Sequence, residues 1–202
     1  MIYFIAVSML LTIAPGPDIL YVITQSITKG KRAGIITVLG LCTGLIVHTT
    51  AAAFGVSAIL QQSAIAFQIL KYAGAIYLFF LAWKAFREKE NPLSGVTSGN
   101  KDAASYYRRG VYMNILNPKV SLFFLAFLPQ FVNSKAGNVA GQMILLGLLF
   151  IMQTILIFSV VAIFAGILGK KILGKPNIAK YVNYVKAGIF VLIGVKLALT
   201  DR

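Results

Sequence analysis

Acidic side chains are scarce in this sequence: five Asp and Glu stand against nineteen Lys and Arg, and Asp18 is the only acid inside an apolar run. A paired-carboxylate hydrolase working within a membrane therefore lacks its second acid. Cysteine occurs once, as Cys42 in an apolar run, so neither an intrachain disulfide nor a thiolate metal site is available. Histidine also occurs once, as His48, too few for a zinc enzyme. Charge of either sign is rare, 12% of residues, where soluble domains carry roughly 25%. A soluble globular domain is excluded.

What replaces charge is hydrocarbon. Apolar residues make up 58% of the chain, and the runs 35–60 and 143–169 contain no Asp, Glu, Lys or Arg. Each exceeds the ~20 residues that span a bilayer. Six apolar segments can be drawn, at about 2–28, 35–60, 64–86, 110–131, 142–169 and 182–200. Lys186 and Lys196 interrupt the last of them near its ends, where a lysine stem can snorkel to the interface. The first run lacks a positive n-region and a small-residue cleavage site, so it reads as a retained span.

The net charge of +14 would suggest nucleic acid in a soluble protein, but its distribution argues for topology instead. Lys29, Lys31 and Arg32 follow the first run; Lys84, Arg87, Lys89, Lys101, Arg108 and Arg109 surround the third connection; Lys170, Lys171, Lys175 and Lys180 fill the fifth. These three loops hold 13 of the 19 positive charges. The positive-inside rule makes them cytoplasmic and places both termini outside. The connection 87–109 is rich in Ser, Gly, Asn and charge, and reads as a flexible linker between repeat 1 (about 1–86) and repeat 2 (about 110–202) of a single membrane domain.

The two halves resemble each other. A proline break followed by a charge occurs in both: Pro15, Gly16 and Pro17 before Asp18, and Pro118 before Lys119. Tyr72 and Lys84 are twelve residues apart, as are Tyr184 and Lys196. Three spans per half is an odd number, so the second copy enters the membrane from the opposite side. The expected fold is an all-α membrane protein of six transmembrane helices in two inverted three-helix repeats, the first and fourth helices being broken. Secondary transporters of this architecture bind substrate near the midplane, between interrupted helices.

Asp18 lies about 4.5 Å along the axis from the centre of the first segment, at a depth where insertion costs roughly 2.5–3.5 kcal/mol. Restarting the helix at Pro17 would put this acid at a favourable positive end. Beyond it, Tyr21, Gln25 and Thr28 share one helix face, either lining a path or packing near the interface. Asn117 and Pro118 form a good helix start, so capping alone could explain the asparagine. Lys119 opposes the macrodipole there and calls for an anion, either Asp18 or a substrate carboxylate. Asn114 shares the face of Asn117. His48 follows Gly40 and Gly44 at four-residue steps, a face on which helices approach closely within or between chains. It reads as a core histidine or, alternatively, a proton carrier. Lys71 reads as a snorkelling residue near the outer loop or, alternatively, as a site residue deep in the third segment. Phe123, Phe124, Phe127 and Phe131 read as packing or lipid-facing surface.

The stretches APGPDILYVITQSITKGKRAG and NILNPKVSLFFLAFLPQF, in this order and over essentially the whole chain, resemble the LysE-type amino-acid exporters, in the branch that exports homoserine, threonine and leucine. The resemblance implies a multi-pass bacterial inner-membrane exporter, not an enzyme, that moves amino acids or their derivatives on the proton motive force. It implies a substrate and a proton as partners, a lipid bilayer around the protein, no nucleic acid, and neither cofactor nor metal. The family's PGP element maps to Pro15, Gly16 and Pro17 with Asp18, and its NPK element to Asn117, Pro118 and Lys119. Ala14 departs from the pattern, since many members carry Thr there. A small-cation exporter or a channel of the same fold is the alternative, though one buried carboxylate makes a poor cation site. The residues leave oligomeric state open, a homo-oligomer being one possibility.

Overall fold

The structure is a computed structural model that describes residues 2–58, 63–87 and 102–172, together with 184, 187–188, 191–195 and 197–199. All the elements formed by these residues are helical. Most of the linker expected at 87–109, and much of the sixth segment, lie outside the described residues.

The first segment is two helices. α1 (Ile2–Ile13) stops where Pro15 and Pro17 remove two N–H donors, and α2 (Pro17–Lys29) restarts with Gly16 as extended N-cap and Pro17 in its first turn. The two halves are bent by 55°. Gly30, at φ +87°, ends α2 in a conformation that L side chains rarely adopt, and α3 (Lys31–Ala51) begins at the next residue. It runs on through a π turn at Ala52–Val56. α4 covers Ala64–Arg87.

The fourth segment repeats the broken plan. α5 (Ala103–Ile115) is capped by the Asp102 side chain, which accepts from the Ser105 N–H at 2.9 Å. It therefore starts seven residues before the apolar run, inside the stretch expected to be linker. α6 (Pro118–Leu122) follows a 47° bend and continues through a π turn and a 3-10 turn to Phe131. α7 (Val139–Ile172) is the longest helix. Lys31–Val56 and Val139–Ile167 are each long and apolar enough to cross a membrane, and the two bent pairs bring the count to as many as four. Large apolar side chains such as Ile46, Phe54, Leu148 and Leu156 stand exposed on these helices, as a hydrocarbon surround requires.

α3 packs against α2, α5 and α7. Its crossing with α5 brings backbone against backbone: a Cβ at Gly40 would fall on the Tyr107 carbonyl oxygen, and one at Gly110 would lie 2.6 Å from the Thr37 oxygen. A Cβ at Gly44 would lie 2.7 Å from Asn114 Oδ1. The glycine face of α3 is thus used within the chain. Phe123, Phe124 and Phe127 are buried, and the Phe123 ring lies 4.9 Å from that of Phe150; they pack the core and do not face lipid. Lys71 corrects the snorkelling expectation. It is only 2% exposed, with its ammonium 4.7 Å from the centre of the Tyr72 ring, because α4 turns this residue toward the protein.

The crossing makes a direct prediction. Gly40→Ala and Gly110→Ala should each lower the thermal midpoint in detergent, by an overpacking cost of roughly 1–3 kcal/mol. Gly55→Ala, where a Cβ meets open space, should not.

Candidate functional site

Pro15 has no N–H to give the Leu11 carbonyl, the partner an unbroken helix would supply from that position. The donor comes from the other half of the chain: Lys119 Nζ donates to Leu11 O at 3.0 Å and to Ala14 O at 3.1 Å. The ammonium caps the carbonyl, negative end of α1. Gly16 makes room for it, since a Cβ there would lie 3.1 Å from Nζ. Lys119 was expected to need an anion. Asp18 supplies that charge across the cavity, and two carbonyls at the broken end of α1 meet the ammonium as well, a contact that the residues alone did not announce.

Asp18 occupies the first turn of α2 and is 3% exposed. Its Oδ2 accepts from Asn114 Nδ2 at 2.9 Å, while Oδ1 is buried with no hydrogen-bond partner. Asn114 is held in turn: its backbone oxygen lies 3.0 Å from His48 Nε2, which must carry the proton, because a carbonyl only accepts. His48 also packs on Phe124 at 5.7 Å. It orients Asn114 and does not line the cavity beside Asp18.

Asn117 performs the capping expected of it. Its Oδ1 accepts from the Lys119 N–H at 3.0 Å, and its side chain also lies close enough to the Asp18 carboxylate to stabilise it.

Asp18, Asn114 and Lys119 meet at one cavity of about 20 Å³, walled also by Leu11, Thr12 and Thr154. That is room for about one water molecule, so the site is closed around its charges. Other expected site residues lie elsewhere. Tyr21 and Gln25 are buried farther along α2, with Tyr21 OH and Gln25 Oε1 unpartnered. Thr28 is exposed and bonds the Thr24 carbonyl. Thr12 and Thr154 escaped the sequence reading. A signal existed for Thr154, because Gln153 and Thr154 are adjacent polar residues in the middle of an apolar run, where such residues mark pathways. Among the described residues no three His, Cys, Asp or Glu side chains come together.

Because Gly16 and Lys119 are in contact across the break, their substitutions should not be independent. Gly16→Val should destabilise the protein, and less so in a Lys119→Ala background. A double-mutant cycle by thermal unfolding in detergent should give a coupling of at least ~0.5 kcal/mol; additive effects would deny the contact.

The sequence is similar to known proteins over nearly its whole length. Residues 9–201 match the profile of the family described as LysE type translocator. The membrane protein YrhP of Bacillus subtilis is 32% identical, over 98% of this chain and 97% of its own. The homoserine/homoserine lactone efflux protein of Salmonella typhimurium is 29% identical, over 96% and 94% of the two chains. The leucine efflux protein of Enterobacter sp. is 27% identical, over 93% and 90%. No solved structure matches. With the profile covering nearly its whole length, the chain belongs to the LysE type translocator family.

Proposed function

We propose that the protein is a secondary exporter of amino acids or amino-acid derivatives in a bacterial inner membrane, coupled to proton re-uptake. The observation that carries this reading is the cavity itself. Two helix breaks from the two halves of the chain bring an acid and a cation to one buried point, as a zwitterion with an ammonium and a carboxylate requires. The relatives named as homoserine, homoserine lactone and leucine efflux proteins supply the substrate class.

In this scheme Asp18 receives the substrate ammonium on its unpartnered Oδ1, and Lys119 exchanges the α1 carbonyls for the substrate carboxylate. A proton from outside neutralises Asp18, weakens its hold on the ammonium, and favours release outward. The binding energy thereby biases an equilibrium between inward-open and outward-open states. A cavity of about 20 Å³ cannot hold an amino acid, so the helices around it must part to admit one. The six-span plan of two inverted repeats, with the connection expected at 87–109 in the cytoplasm, would let one repeat rock against the other. The sign of the Lys and Arg distribution supports that orientation.

Asp18→Asn keeps the hydrogen bond from Asn114 within reach but cannot exchange a proton. In everted vesicles it should insert normally and lose amino-acid uptake driven by an imposed pH gradient. Wild-type rates from this variant would remove Asp18 from coupling.

A further inference from the structure

A second hollow, of about 480 Å³, opens beside the central cavity. Along one wall, Ser105, Arg108, Arg109, Tyr112, Met113 and Leu116 of α5 follow one another at steps of three and one, which is a single stripe of a helix face. Eleven steps of 1.5 Å from Ser105 to Leu116 make this wall about 16 Å long, roughly half of a 30 Å hydrocarbon core. Its inner end is formed by Pro17, Asn117 and Pro118, at the two helix restarts. The groove therefore reaches from the basic rim of the bundle to the breaks.

Its chemistry is that of an anion site. The lining includes two guanidinium groups and no carboxylate. The Arg109 guanidinium lies 5.2 Å from the centre of the Tyr21 ring and is half-buried; stacking occupies its face and leaves the in-plane N–H donors for a ligand. At the inner end stands Asn117, 2% exposed, whose side chain interacts with the Asp18 carboxylate and so links the end of the groove to the central cavity. The volume falls in the range of small-molecule sites, roughly 300–1,000 Å³, whereas the cavity at Asp18 is closed. Asn117 borders the groove while Lys119, two residues on, borders the cavity.

We propose that this groove is the loading site of the exporter, where the substrate's carboxylate is first bound by Arg108 and Arg109 before it passes to Lys119. The assignment rests on the amino-acid export reading. It makes α5 a recognition element: the groove selects for a free carboxylate, and the cavity beyond completes recognition with the ammonium.

The test uses the full chain in proteoliposomes and pairs of substrates that differ only in the carboxylate, L-homoserine with its lactone and L-leucine with leucinamide. Removing both charges together, Arg108→Gln with Arg109→Gln, should raise KM for the acid at least about tenfold and raise the ratio of acid to neutral-partner KM by a similar factor. Arg108→Lys with Arg109→Lys should recover most of that loss. An unchanged ratio, or KM values rising together for both partners, would overturn the assignment. So would an effect confined to vesicles containing phosphatidylglycerol and absent in phosphatidylcholine alone, which would make the groove a lipid headgroup site. If wild type transports neither pair, the export reading itself fails. The groove is then decided by labelling Tyr112→Cys in a Cys42→Ser background. Faster reaction with an anionic than a cationic methanethiosulfonate, slowed by L-homoserine and not by its lactone, upholds carboxylate binding; equal rates or no protection refute it.

Discussion

The ammonium of Lys119 on the broken end of α1 is the interaction on which the rest of this structure depends. Pro15 removes the donor that a continuous helix would give Leu11 O, the bend takes Ala14 O out of the helical ladder, and carbonyls left bare in the apolar core are costly. A lysine from the opposite half of the chain fills the vacancy at 3.0 and 3.1 Å. Hydrogen bonds to a charged group are worth ~1.5–3 kcal/mol each, comparable with the roughly 2.5–3.5 kcal/mol that insertion scales assign to a charge at this depth. Near balance is a useful property in a carrier. A cation held by two neutral carbonyls and by the attraction of Asp18 is stabilised enough to stay buried, and remains open to exchange with an incoming anion.

The second constraint is the glycine-mediated crossing of α3 and α5. It sets Asn114 against Gly44 and lets the His48 ring reach the Asn114 carbonyl, which in turn aims the Asn114 amide at Asp18. His48 thus influences the acid through the position of a neighbour. The glycines matter to the site through geometry, since a shift of α5 by the width of a methyl group would remove the 2.9 Å bond that fixes one carboxylate oxygen.

Much of this was legible in the residues because breaks and charges in an apolar run have few explanations. Pro15, Pro17 and Pro118 located both bends, Asn117 announced its cap, and Gly40 and Gly44 located the close crossing. The first five segments appear within a few residues of their expected bounds, apart from the early start of α5. That start escaped because Ala103–Arg109 carries helix formers and a capping Asp102 but no apolar run, and hydropathy cannot see a polar helix end. Lys71 escaped because depth along a helix does not say which way a side chain faces. The partners of Lys119 escaped for a similar reason: backbone carbonyls have no letter in a sequence, and the count of missing donors becomes informative only once the two breaks are known to meet. Tyr21 and Gln25 share a face with Asp18, yet helical pitch carries them along the axis and away from the cavity.

Opposite charges at two breaks are the central claim, and proximity under working conditions is its most direct measure. Asp18→Cys and Lys119→Cys combined, in a Cys42→Ser background, should be joined by the shortest bifunctional methanethiosulfonate in native membranes, and mass spectrometry should find the two peptides linked. Two cysteines that each react with a monofunctional reagent but never become joined would place Asp18 and Lys119 in separate environments, and the two-sided site would not exist.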